Sequence, residues 1–389
     1  MAKKGLKIVI APDKFKGSLT GVAFCNAVEE GVLKVSPETE IIKLPLADGG
    51  DGTIEILGYH LGGKRISVKV NDPLFRPIEA SYLFMESINT AFIEMAEASG
   101  MKLLRLEEQN CFETTSFGTG EIIVDAIKKG AKIIILGIGG SATNDCGIGM
   151  ASALGYKFID NENLEIKPIG KNLSKIIRID SSRVNPSLSD VKFKVAYDVT
   201  NPLYGVDGAA FIYAPQKGAL KSEVILLNEG LEHVANIFLK QFNIDVQSIE
   251  GTGAAGGMGA GTLVFLSASL LSGINLVKEL INFDKKIKEA DWVITGEGKL
   301  DVQTLSGKTI QGVITSAKYY NIPVAAFCGS ILLPKESLNS LGISYAASIM
   351  DIATNLEDAM GNANKYLSII SSNFAKSIKD MAKTYKNKK

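Results

Sequence analysis

Five short apolar runs in this chain end the same way, in a carboxylate, most of them in glycine-containing loops. After residues 6–12 come Asp13, Lys14, Lys16 and Ser18; after 40–45 come Asp48 and Asp51 in "ADGGDGT". After 132–138 come Asn144 and Asp145, after 191–197 Asp198 and Asn201, and after 291–295 Glu297, Lys299 and Asp301. Oxygen ligands of this kind suit Mg²⁺, which is held by one or two carboxylates together with phosphate oxygens. Lysines neutralise the charge that spreads over a transferring phosphoryl group, and a further aspartate can take the proton of an attacking hydroxyl. Histidine is almost absent, at His60 and His233 only, both in helical patterns and outside the glycine motifs. A carboxylate base is therefore favoured over a histidine triad or a zinc centre. "PQKGA" adds Gln216 and Lys217 on a tight turn, a pair able to hold a carboxylate or a phosphate.

Ligands of open α/β sheets bind beyond the carboxyl ends of the strands, so these residues require parallel strands to carry them. The opening supplies a strand (6–12), a helix with Thr20 as N-cap, a strand (40–45) and a short helix near 53–61, which is a βαβ unit. From about residue 65, "ISVKV", "IEASYLFM" and "TAFIEMA" alternate with period two and predict hairpins. Residues 221–241 and 258–282 read as mostly helical, the βα texture returns at 291, and a helical tail covers about 355–384. The expectation is an α/β protein of two domains. One is a flavodoxin- or Rossmann-like parallel sheet from 1–65 plus 289–389; the other is an inserted mixed α/β domain over 66–288, with the active-site cleft between them.

Composition limits the functions. The 389 residues hold 42 Lys and Arg against 42 Asp and Glu, which gives no argument for nucleic acid or an anionic membrane. No apolar run reaches the length of a membrane span, and the N-terminus lacks the features of a signal peptide. Cys25, Cys111, Cys146 and Cys328 are far apart and form no CxxC pair. A cytoplasmic protein is expected; oligomerisation is left open.

The glycine loops divide the readings. "GIGGSATNDCGIG" (137–149) contains Gly137-x-Gly139-x-x-Ala142, a dinucleotide pattern, with Asp160 at ribose-binding distance in sequence. A nicotinamide-dependent hydroxy-acid oxidoreductase is therefore one alternative, and a non-catalytic binding protein another. Against the first, glycines and Asn144-Asp145 occupy what would be the helix start facing a pyrophosphate. Gly251-x-Gly253-x-x-Gly256 lacks a preceding strand, so tight packing competes with anion binding there. "SGKT" (306–309) is not a P-loop, because Val302 stands where the first glycine belongs, though Lys308 remains a phosphate candidate.

"KIVIAPDKFKGSL", "PLADGGDGT", "EMAEASG", "GIGGSATNDCGIGM", "DVTNPLYGVDGAA", "PQKGA", "GTGAAGGMGAG" and "TGEGKLDVQTLSGK" occur in this order over about residues 7–330. Together they resemble the bacterial glycerate kinases of glyoxylate and sugar-acid catabolism. The resemblance implies ATP-dependent phosphorylation of D-glycerate at the 2-hydroxyl with Mg²⁺. Many members carry "PDSFKES" at the first motif, where this chain has Lys14 and Gly17, and often a glycine in place of Cys146. On the residues themselves we assign catalysis to Asp48, Asp198 and Lys16. We assign substrate or phosphate binding to Lys14, Ser18, Gly49, Gly50, Gly139, Gly140, Ser141, Thr143, Asn144, Asn201, Gln216, Lys217, Gly253, Gly256 and Lys308. The metal is assigned to Asp145, Glu297 and Asp301.

Overall fold

The computed structural model describes residues 5–15, 17–50, 52–301 and 309–387, and the expected site residues Lys16 and Lys308 lie outside them. The chain divides into two compact units, Met1–Asp48 with Val277–Lys389, and Gly49–Leu276.

The first unit is built on five parallel strands in the order Ile343–Ser348, Val324–Cys328, Trp292–Thr295, Lys7–Ile10 and Glu40–Lys43. In chain order this is 2-1-3-4-5, the flavodoxin-type order, which reverses between Lys7–Ile10 and Trp292–Thr295. The inner strands read as unbroken apolar runs because both faces are covered: Ile8, Val9, Ile10, Val293 and Ile294 are fully buried. Thr20 caps the helix Gly21–Leu33 as expected, its hydroxyl accepting from Ala23 N at 3.1 Å. That helix packs on Ala363–Asn387 so closely that a Cβ on Gly31 would sit 2.3 Å from the Ser368 carbonyl oxygen. Phe24, Phe327 and Phe374 fill the core, and Trp292 meets Phe374 edge-on.

The second unit holds a six-stranded mixed sheet. Ser269–Ser272, Lys192–Tyr197, Ile133–Gly137 and Thr90–Glu94 are parallel neighbours; Pro77–Met85 and Lys64–Asn71 then continue antiparallel, as the period-two pattern predicts.

Two expectations differ from the structure. The helical reading of 258–282 is corrected: the helix ends at Leu266, Ser267 turns left-handed, and Ser269–Ser272 is an edge strand on Lys194–Tyr197. The start of that helix is also broken, since Ala255, Gly256 and Gly257 all have positive φ. The division between units falls at Asp48/Gly49 and Leu276/Val277, where the sequence suggested 65/66 and 288/289. The helix Thr53–Leu61 belongs with the mixed sheet, its Ile54 N–H donating to buried Glu94 at 3.1 Å. Residues from 277 belong with the parallel sheet's helices: Lys278 donates to the Gly312 carbonyl and Ser316 to Asp284.

Candidate active site

In the Gly49–Leu276 unit a pocket of about 320 Å³ opens beyond the carboxyl ends of the adjacent parallel strands Ile133–Gly137 and Lys192–Tyr197. Gly49, Gly50, Gly139, Gly140, Ser141, Asp198, Gln216 and Lys217, all expected from sequence, line it. Two glycines beneath the pocket have no room for a side chain or need a left-handed backbone. A Cβ on Gly137 would lie 2.5 Å from the Gly49 carbonyl oxygen, and Gly49 itself has φ +90. Two loops are thereby stacked main chain on main chain, and Ser141 and Asp198 stand on the pocket wall. Asp198 and Gln216 are exposed at the rim.

Lys217 is the exception to ordinary lysine behaviour. It closes the short turn Pro215–Lys217, is 5 % exposed, and donates through Nζ to Ser141 Oγ at 2.7 Å and to the Thr143 carbonyl at 2.8 Å. Both partners are neutral. Burial lowers its pKa from 10.5 to about 8; the neighbouring Cys111 and Asp145 act in the opposite direction. A lysine with a lowered pKa on a pocket wall is a candidate functional group.

The loop behind Ser141 is enclosed. Thr143, Asn144 and Asp145 are fully buried. Among the described residues, Thr143 Oγ1 and both amide atoms of Asn144 have no hydrogen-bond partner. Asp145 accepts from Ser116 N and Ser116 Oγ at 2.7 Å each, from Gly147 N at 3.1 Å and from Gly149 N at 3.3 Å. Its carboxylate thus pins the turn into Ile148–Ala153 and does not line the pocket, unlike the metal role expected for it.

Other expected residues act as supports. Asn201 accepts from the Tyr213 hydroxyl and donates to the Asp207 carbonyl, holding Tyr213 in the pocket wall. Gly253 and Gly256 serve packing: a Cβ on Gly253 would lie 2.1 Å from Pro202 O, and on Gly256 2.1 Å from Thr143 O. Gly256 also has φ +70. Tyr213 itself was missed; nothing in "FIYA" distinguishes a wall tyrosine from a core one. His233 Nε2 lies 2.6 Å from the Ile176 carbonyl oxygen, a structural contact.

The parallel-sheet unit carries a second group at its strand ends. Asp13 follows Lys7–Ile10, and its N–H donates to Gly296 O, across the point where strand order reverses. Its carboxylate accepts from Lys14 N at 2.7 Å and from the Thr309 hydroxyl at 2.6 Å, at the start of helix Thr309–Tyr319. Burial raises the pKa of Asp13, and the charge of Asp48 raises it further. Asp13 stood in the strand-end series without a role; the structure sets it beside Asp48. Glu297 follows Trp292–Thr295, and Asp301 pairs with Lys299 at 3.0 Å. Among the described residues no three acidic, cysteine or histidine side chains gather as a metal cluster. Ser18 donates to the Met360 carbonyl at 2.9 Å, which ties its loop to helix Leu356–Gly361.

Comparison with known proteins decides the family. The model of the glycerate kinase family matches residues 8–379. The chain belongs to the glycerate kinase family. It is 44 % identical over 368 residues to a glycerate kinase of Halalkalibacterium halodurans, covering 95 % of this chain and 97 % of the relative. It is 41 % identical over 370 residues to a glycerate 2-kinase of Escherichia coli, with the same coverages. A crystal structure described as "putative glycerate kinase 2" from Salmonella typhimurium LT2 superposes with a TM-score of 0.88 at 39 % identity, covering 97 % of this chain and all of that one. The activity is that of a glycerate kinase, with ATP as the phosphoryl donor the family implies. The nicotinamide alternative is replaced, and the structure gives the physical reason. The next helix starts only at Ile148, six residues past Ala142. Asp160 is occupied as a local turn cap, accepting from Glu162 N and Leu164 N at 2.9 Å each. No helix among the described residues is long and apolar enough to cross a membrane.

Proposed function

We propose that this glycerate kinase transfers the γ-phosphoryl group of ATP to the 2-hydroxyl of D-glycerate. The observation that carries the reading is Lys217, a buried ammonium with only neutral hydrogen-bond partners, facing a pocket between two glycine loops. Such a group suits an anion, and the glycerate carboxylate is the anion the family's substrate supplies. Lys217 and Ser141 hold that carboxylate, the exposed main chain of Gly139 and Gly140 lies along the same wall, and Asp198 at the rim accepts the proton of the attacking hydroxyl. The 2-position follows the name of the Escherichia coli relative.

The carboxylates of Asp13, Asp48, Glu297 and Asp301 in the parallel-sheet unit have the oxygen chemistry Mg²⁺ takes, and two of them, Asp13 and Asp48, are electrostatic neighbours. Within this group we assign the metal to the Asp13–Asp48 pair, and we remove Asp145 from the metal role. Bound there, Mg²⁺ neutralises charge on the nucleotide's phosphate oxygens.

Incubation with D-glycerate and MgATP, followed by ³¹P NMR of the product, tests the assignment. A 2-phosphate ester is expected. A 3-phosphate ester overturns the position, and absence of turnover overturns the whole. Asp198→Asn should lower kcat by about 10²- to 10⁴-fold with KM little changed; a variant that keeps most of its kcat removes Asp198 as the base.

A further inference from the structure

Asp145 and Lys217 are buried charges of opposite sign that do not touch through a direct ion pair. Lys217 binds Ser141 Oγ and Thr143 O, four and two residues before Asp145 in the same loop. The carboxylate is held by four hydrogen bonds from neutral donors. We infer that Asp145 is a positioning residue for Lys217, fixing the turn that presents Ser141 and Thr143 to the ammonium and supplying the buried negative charge opposite it. This rests on the reading of Lys217 as the anion-binding group.

The turn is shaped around the carboxylate. Cys146 and Gly147 both have positive φ, 54° and 71°, a run that main-chain hydrogen bonds to Asp145 stabilise. Ser116, which gives Asp145 both its N–H and its hydroxyl, itself accepts from Met150 N at 2.9 Å, so the start of helix Ile148–Ala153 is locked to the same group. Gly149 has no room for a side chain, since a Cβ would lie 2.3 Å from Thr115 Oγ1. On the other flank, the Thr114 hydroxyl holds the Ala142 carbonyl at 2.8 Å. The segment that carries both partners of Lys217 is thus clamped at Ala142 and at Asp145.

Hydrogen bonding also favours the charged form of Asp145. Three of the four partners of Asp145 are main-chain N–H groups, which can only donate and so favour the carboxylate. Burial pushes its pKa up, and these four donors oppose that. The other titratable group facing Lys217 is Cys111, whose main-chain N–H donates to the Lys217 carbonyl and whose thiol is pushed up to about 11 by burial. Near pH 8 it is an uncharged thiol. Asp198 lines the same pocket but is solvent-exposed, where water screens it. Asp145 is therefore the enclosed negative charge that acts on Lys217.

The experiment compares the pH profile of kcat/KM for glycerate in wild type and two charge-removing variants. Asp145→Asn keeps the side-chain shape; Asp145→Ser keeps an acceptor oxygen in the turn. Folding is checked by circular dichroism. The wild-type profile should fall above pH 8, and in either folded variant that alkaline limb should move down by roughly one pH unit. Ser116→Ala, which leaves the carboxylate and three of its donors, should keep the limb in place. A limb that stays put in folded Asp145→Asn or Asp145→Ser overturns the inference, as does failure of both to fold, since the role would then be structural only. A wild-type profile with no limb near pH 8 refutes instead the role given to Lys217.

Discussion

The state of Lys217 can be tested without any change of sequence, by pH alone. Its fall from 10.5 to about 8 corresponds to about 3.4 kcal/mol by which burial disfavours the ammonium in the empty pocket. A carboxylate placed against Nζ reverses that preference, so glycerate binding takes up a proton wherever Lys217 is neutral in the free enzyme. Below pH 8 the ammonium is already formed and KM for glycerate should be flat. Above it KM should rise about tenfold per pH unit, about 30-fold by pH 9.5, because the bound state alone holds the proton. Lys217→Met should raise KM about 10- to 100-fold at pH 7, the worth of a charge-assisted hydrogen bond, and should lose the alkaline dependence. The ligand-free protein gives a matching stability test. Between pH 8 and 10.5 the unfolded lysine binds a proton that the folded one has released, so stability from this group rises with pH. Wild type should gain on Lys217→Met by up to about 3.4 kcal/mol over that interval. An ADP-coupled assay from pH 6.5 to 9.5 decides the first part and urea unfolding the second. A wild-type KM that is level across the range, or that climbs equally in Lys217→Met, refutes the reasoning.

Gly256→Ala should destabilise by about 2–4 kcal/mol in urea unfolding, because its Cβ would meet Thr143 O at 2.1 Å with φ at +70; a loss under about 0.5 kcal/mol would show that the loop yields easily. Asp13→Asn should leave stability nearly unchanged while raising the Mg²⁺ concentration for half-maximal rate by about 10- to 100-fold. An unaltered Mg²⁺ requirement would take Asp13 out of the metal group.

What could be read from sequence followed from local signals. Apolar runs bounded by Gly, Asp and Pro marked the strands Lys7–Ile10, Glu40–Lys43, Ile133–Gly137, Lys192–Tyr197 and Trp292–Thr295, and the carboxylates after them fell at strand ends. The strand Ser269–Ser272 did not show, because "SLLS" continues an apolar helical run, and only pairing with Lys194–Tyr197 makes it extended. Ile343–Ser348 was equally silent: an edge strand with Ala346 and Ala347 half-buried carries little alternation. Within the site, residue type predicted presence but not direction. Asp145 and Asp198 both follow parallel strands, yet one is folded into its own turn and the other faces the pocket. That difference depends on Ser116, about thirty positions earlier, whose hydroxyl captures Asp145, a pairing no local pattern announces.

The same contrast explains why the 137–149 loop resembled a dinucleotide fingerprint. Its glycines answer a demand for close main-chain approach, which a pyrophosphate makes but which a second loop makes equally, as Gly49 does against Gly137. Glycine spacing therefore reports proximity and not the neighbour's identity. Polar burial discriminates better. Within five consecutive positions the loop offers Lys217 the Ser141 hydroxyl and the Thr143 carbonyl, encloses the unsatisfied Asn144 amide, and buries the Asp145 carboxylate. A turn that served packing alone would replace each of these with an apolar group and gain stability, since an unmet buried amide costs about 1–3 kcal/mol and a buried lone charge more. The cost is concentrated around the buried Lys217 ammonium, and the chemistry proposed for this site therefore rests on Lys217 rather than on the glycines around it.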